Sequence, residues 1–151
     1  MRGITLLEIL LVMAILSILA SISAGIYYNL ERETALEEDE NAIVASLRMA
    51  RANAVSGERG IAWGVKLDNA DVAQPAFILF GGQDYASAVT TEYHALSDKA
   101  VFSAPVAGQS LEIVFARRTG MTTPQTVSIV LRNNPAKIKT IQVSEEGIIN
   151  R

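Results

Sequence analysis

Glu8 is the one charged side chain in ITLLEILLVMAILSILASISAGIYY, residues 4–28. A carboxylate placed deep in hydrocarbon costs roughly 2.5–3.5 kcal/mol on insertion scales, so such a residue calls for a partner or a function. It stands about one helical turn inside the run, where snorkelling to a boundary would relieve part of that cost. A second set of residues fitted to chemistry is basic. Arg117, Arg118, Arg132, Lys137 and Lys139, with Arg151, face only Glu145 and Glu146 over residues 117–151. Side chains of this type contact backbone phosphates. Against that use, residues 57–151 hold nine basic and nine acidic residues, and no aromatic residue is interleaved among the basic ones. Strand alternation also divides the set. Lys137 and Lys139 share a face, whereas neighbours Arg117 and Arg118 point oppositely in an extended segment. Basic residues on edge strands also guard against unwanted pairing.

The remaining candidates are weaker. His94 is the sole histidine and has no ligand-spaced acid or cysteine around it. Asp68, Asn69 and Asp71 resemble the start of an oxygen-rich calcium loop, but no Gly-x5-Glu follows, and a polar hairpin turn accounts for them. Gly81-Gly82 opens neither a P-loop nor a dinucleotide fold. Without cysteine there is no disulfide, thiolate metal site or thiol nucleophile. No enzyme activity, metal or cofactor is expected.

The elements that position these residues are legible in the pattern. Residues 4–28 carry no Pro, Lys or Arg, and their apolar side chains run around the whole cylinder. A helix of that length is about 37 Å long and crosses an apolar layer of about 30 Å with some tilt. Tyr27 and Tyr28 would suit the outer interface as an aromatic girdle, and Gly25 permits bending. From Asn29 to Ser56 there is no Pro or Gly, and Leu36, Ile43, Leu47, Ala50 and Ala54 recur at helical spacing. One helix from Ile4 to Ser56, about 80 Å long, is expected, with Gly57 as C-cap. Residues 31–40, ERETALEEDE, hold six acids against one Arg. They read as a solvated face, with a contact to basic residues of a neighbouring protomer as the alternative.

After Gly57 the period changes to two. Strands are expected at 61–67, 76–80, 111–116, 126–132 and 137–144, with a short one near 100–103 and IIN at the end; the stretch QDYASAVTTEYHAL reads as either a strand or a loop around 89–94. Asp68-Asn69 and Asn133-Asn134-Pro135 are expected turns. The fold class is α+β: a long N-terminal helix packed on a C-terminal antiparallel β-sheet domain.

MRG followed by ITLLEILLVMAILSILA resembles the leader and first helix of the type IV pilin and type II secretion pseudopilin superfamily. The resemblance implies that prepilin peptidase cuts after Gly3 and N-methylates Ile4. It implies that Thr5 and Glu8 belong to the assembly site. In the family the first mature residue is usually Phe, where this chain has Ile4. Methylation would block acylation of the new amine and keep its charge, so the ammonium could pair with Glu8 of a neighbouring subunit. Such a pair serves register more than stability.

The domains follow: leader 1–3, transmembrane or filament-core helix 4–28, amphipathic continuation 29–56, and β-rich head 57–151. SLRMARANAVSGERG at the helix end, Gly120, and TVSIVL…IKTIQVSEEGIINR are similar to the GspH/FimT group of minor pilins and pseudopilins. The implied function is a structural subunit of a type IV pilus or type II secretion pseudopilus. The implied partners are prepilin peptidase, other pilin or pseudopilin subunits, the inner-membrane assembly platform and the lipid bilayer. The implied location is a single pass in the cytoplasmic (inner) membrane with the head outside, then the filament. Alternatives are a tip subunit that binds DNA during uptake, using Arg117, Arg118, Arg132, Lys137 and Lys139, or a membrane-anchored protein outside any filament. An ordinary signal peptide cut near Ser21-Ile22-Ser23 fits poorly. The apolar run is too long, Arg2 is a thin basic region, and Glu8 is out of place.

Overall fold

The computed structural model describes residues 5–151, the side chains of residues 22–29 excepted. Gly3 and Ile4 lie outside the described residues, as do the side chains of Tyr27 and Tyr28. Helix α1 spans Leu6–Ser56. It stops where the sequence demands: Gly57 adopts a left-handed φ of 69° and donates its N–H to the Ala54 carbonyl at 3.1 Å. The chain divides into two compact units, Met1–Thr34 and Ala35–Arg151.

In the first unit the described apolar side chains have no core to enter. Eleven large ones from Leu6 to Leu19 are 48–77% exposed. Ser17 and Ser21 satisfy their hydroxyls within the helix, donating to the carbonyls of Met13 and Ser17 at 2.8 and 2.9 Å. Among the described residues no helix is long and apolar enough to cross a membrane. The span expected at 4–28 runs on into residues 22–29, whose side chains are outside the description.

The second unit holds the core. The expected stripe Leu36, Ile43, Leu47, Ala50 and Ala54 is at most 3% exposed. It packs with Val65, Leu67, Phe77, Ile113, Phe115, Val127, Ile129 and Ile141 in a single cluster. The strands are β1 (Trp63–Asp68), β2 (Ala76–Gly81), β3 (Thr90–Ala95), β4 (Ala100–Ala104), β5 (Ser110–Phe115), β6 (Gln125–Leu131), β7 (Asn134–Val143) and β8 (Ile149–Asn150).

All pairings are antiparallel, but the strands form two sheets, ordered β3-β2-β1-β5 and β4-β6-β7-β8. The sequence reading gave one. The difference arises at β4, which lies between β3 and β5 in the chain yet pairs with β6. This transfer places Ala100 and Phe102 in the shared core.

Two turns also differ from expectation. Asn69 is fully buried rather than a solvated turn residue. Its amide donates to the carbonyls of Phe102 and Pro105 at 3.2 and 2.8 Å, which ties the first hairpin to β4 and the residue just after it. The β6–β7 turn is Arg132-Asn133, and β7 already begins at Asn134. Pro135 fits there because the register jumps from Leu131↔Asn134 to Val130↔Ile138. A residue without an N–H is tolerated at such a bulge.

Candidate functional site

Thr5 stands immediately before the first helical residue. Its Oγ1 accepts the Glu8 N–H at 3.3 Å, and its carbonyl accepts the N–H groups of Glu8 and Ile9 at 3.1 and 3.3 Å. The spacing Thr-x-x-Glu is that of a capping box, a signal the sequence reading passed over when it placed the helix start at Ile4. Thr5 thus fixes the turn that presents Glu8. The carboxylate lies at the positive end of the helix dipole and lines a shallow pocket of about 280 Å³ with Ile9, Val12 and Met13. An acid framed only by apolar side chains can receive a cation that arrives with an apolar surface of its own.

The five basic candidates are placed apart. Lys139 projects from β7 toward α1, with Nζ 3.4 Å from Glu40 Oε2 and 3.5 Å from Glu37 Oε1. The Glu40 side chain is only 7% exposed. Arg132 donates to the Val72 carbonyl at 2.9 Å. Arg117 lies against the turn after α1, where a Cβ at Gly60 would stand 3.8 Å from its Cζ. The last turn of α1 has no basic residue of its own, so Arg117 supplies the cation that suits that end of the dipole. Arg118 has φ 70°, and its N–H reaches the Ala54 carbonyl at 2.8 Å. Lys137 is exposed on the bulged part of β7.

The acidic run is correspondingly not one solvated face. Glu31, Glu33, Glu37 and Glu38 are exposed, but Asp39 and Glu40 are buried. Glu40 meets Lys139. Asp39 accepts three bonds from Ser97, two from the N–H at 3.1 and 3.2 Å and one from the hydroxyl at 2.7 Å. Burial pushes the Asp39 carboxyl above its ordinary value; the Ser97 bonds oppose this, and Glu38 and Asp98 add to it.

Sequence reasoning also missed a clamp at the far end of the helix. Arg51 donates to the Glu146 carbonyl at 3.2 Å and runs beneath Gly120 and Gly147, both with positive φ. Among the described residues no group of three or more His, Cys, Asp or Glu is arranged to hold a metal. His94 stacks on Phe77 at 5.1 Å.

Residues 1–24 match the family model of the prokaryotic N-terminal methylation motif. The chain carries that motif. The matched residues include Gly3, Ile4, Thr5 and Glu8, so the Thr5 cap and the Glu8 pocket fall within the motif. No curated protein matches the chain by sequence. Among solved structures, the minor pseudopilin EpsH of the Vibrio cholerae type 2 secretion system is 18% identical, with a TM-score of 0.52 over 76% of this chain and 94% of that one. The type IV minor pilin FimU of Pseudomonas aeruginosa is 21% identical, with a TM-score of 0.51 over 78% and 90%. A second EpsH structure gives 17% and 0.51. The fold is therefore that of minor pseudopilins and minor pilins, a helix followed by antiparallel sheets.

Proposed function

We propose that the protein is a structural subunit of pilin type, a minor pilin or pseudopilin of a type IV pilus or type II secretion pseudopilus. The observation that carries this reading is the first unit. From Leu6 to Leu19 its large apolar side chains are exposed, with Glu8 as the one carboxylate among them, and it bears the methylation motif. Apolar surface of that extent requires lipid or a bundle of like helices. Prepilin peptidase would cut between Gly3 and Ile4 and methylate Ile4. The helix would hold the subunit in the cytoplasmic membrane, with the head outside, until the assembly platform transfers it to the filament. There the methylated ammonium of one subunit pairs with Glu8 of another. Each charge offsets the other's desolvation, and the Thr5 cap holds the carboxylate in place.

The test has two parts. Mass spectrometry of the native protein is expected to find an N-terminal peptide beginning at methylated Ile4; a mature terminus at Met1, Ser23 or Ala24 refutes the processing. Glu8→Ala is expected to leave membrane insertion intact and to deplete the protein from sheared filaments. Incorporation of the variant at the normal level refutes the pairing.

A further inference from the structure

A groove of about 730 Å³ lies between the last turns of α1 and β8. Arg48 is exposed on its rim, and Arg51 forms part of its wall. Neither guanidinium meets a carboxylate among the described residues. Arg51 donates to the Glu146 carbonyl, and its buried Nε has no hydrogen-bond partner. The Glu146 carboxylate takes the Ser144 hydroxyl instead. Val55 and Ile148 add exposed apolar surface to the same groove.

The strand side offers backbone. Ser144 donates its N–H to the Ile148 carbonyl at 2.9 Å, and the register runs Val143↔Ile149 and Gln142↔Asn150. Backbone groups alternate sides along an antiparallel strand. Ile148 and Asn150 therefore turn theirs to β7, and Ile149 turns its N–H and C=O away. Because β8 is the last strand of its sheet, that donor and acceptor stand on an open edge. Ile149 itself lines the groove.

These three features together select a ligand. Two cations without a carboxylate call for an anion. An N–H beside a C=O calls for a backbone that offers both in return, and an apolar wall calls for side chains. A phosphodiester chain meets only the first demand, since its oxygens accept hydrogen bonds and do not donate them. An extended acidic peptide meets all three. A second copy of this chain does not supply one. Its strands hold three acids, each engaged: Asp68 with Lys66 at 3.1 Å, Glu92 with His94 at 3.3 Å, and Glu112 with the Tyr85 N–H at 3.0 Å. The exposed Glu38 lies on a helix.

We propose that the groove binds an extended, acid-bearing segment of a different polypeptide, added as a strand beside β8 with its carboxylate on Arg48 and Arg51. Backbone pairing at Ile149 supplies the geometry, and the arginines set the register. The inference concerns the head alone, and neither the filament-subunit reading nor the Glu8 site is needed for it.

The test uses the full-length chain in phosphatidylcholine nanodiscs and an immobilised random library of acetylated, amidated peptides of about six residues. Retained sequences are expected to carry Asp or Glu at one fixed position, with apolar or β-branched residues beside it. Replacing that acid by its amide should weaken binding about tenfold or more. Arg48→Gln, at an exposed position, should do the same, and Arg48→Glu should move the preference at that position to Lys or Arg. Bound peptide should slow hydrogen exchange of the Ile149 N–H, and N-methylation of the peptide residue opposite Ile149 should abolish binding. No enrichment, enrichment indifferent to the acid or to Arg48→Gln, unchanged exchange at Ile149, a DNA oligonucleotide retained in place of peptide, or displacement of peptide by a second copy of the chain each overturns the inference.

Discussion

Lys139→Met tests whether the basic hairpin belongs to the fold or to a binding surface. The Lys139 ammonium lies 3.4 Å from the Glu40 carboxylate. At an effective dielectric of 20 the gross attraction at that distance is about 5 kcal/mol. Most of it is offset. The Lys139 side chain is 36% exposed and so recovers hydration on release, and ordering its stem costs entropy. The net value should fall between that of an exposed pair, roughly 0.2–1 kcal/mol, and the 3–5 kcal/mol lost when a buried pair is broken. About 2 kcal/mol is expected for Lys139→Met, because the buried Glu40 is left charged without a cation. Glu37 is 62% exposed, so Glu37→Gln should cost less than about 0.5 kcal/mol.

The decisive comparison is the double variant K139M/E40Q. Removing the stranded charge should recover at least about 1 kcal/mol relative to K139M, a coupling that only contacting residues show. The assay is urea denaturation of residues 29–151, followed by circular dichroism at neutral pH. That fragment contains every buried apolar residue of the described chain and should itself be soluble and mostly β with one helix. Repeating the measurement at about 1 M salt should leave most of the loss in place, since screening acts mainly on exposed charges. A K139M variant as stable as the parent would refute the reasoning and return Lys139 to the solvent-facing surface.

The other expectations concern neighbouring features. Gly147→Ala should cost about 3 kcal/mol or more in the same assay, because its Cβ would overlap the Gly120 carbonyl and crowd Arg51 at a φ of 73°; Gly108→Ala, at φ 81° in open space, should cost only about 1 kcal/mol, and equal losses would refute the clamp. The folded-state pKa of Asp39 is raised, so the native state binds more protons than the unfolded one just above 3.8, and the Asp39 contribution to stability falls as pH rises through that window. The stability of the parent relative to Asp39→Asn should accordingly decline with rising pH, and a flat difference would count against the burial. A duplex DNA titration of residues 29–151 at about 50 mM salt should show nothing tighter than roughly tens of micromolar, since the five basic residues are dispersed over separate contacts. Micromolar binding lost in R132A/K137A/K139A would make DNA capture the leading function.

How far these features are legible in the sequence depends on the range of the interaction behind them. The helix stripe at Leu36, Ile43, Leu47, Ala50 and Ala54, its stop at Gly57 and the strand positions are set by neighbours a few residues apart, and period alone recovers them. The partition into two sheets is not of that kind. It depends on β4 leaving β3 to pair with a strand that begins at Gln125, and no spacing within either segment encodes the choice. Asn69 shows the same limit. Asp-Asn between two strands is good evidence for a turn, but its burial comes from carbonyls 33 and 36 residues away.

The charged residues carry this argument to the site itself. In the sequence, the acids at 37–40 and the lysines at 137 and 139 are two runs, each most simply solvated. The fold brings them together because β7 faces inward at Lys139, Ile141 and Val143, while Ile138 points outward at 54% exposure. A lysine in register with core residues must find an acid or force the strand to twist, and Glu40 supplies the acid. Glu8 has no comparable solution within the described chain. Its pocket is lined, among the described residues, by its own helix alone. That contrast separates the two groups of charges by role. Those at 39, 40 and 139 are spent on holding the head together, whereas the Glu8 carboxylate has no such partner among the described residues, which is what the proposed pairing with a neighbouring subunit would supply.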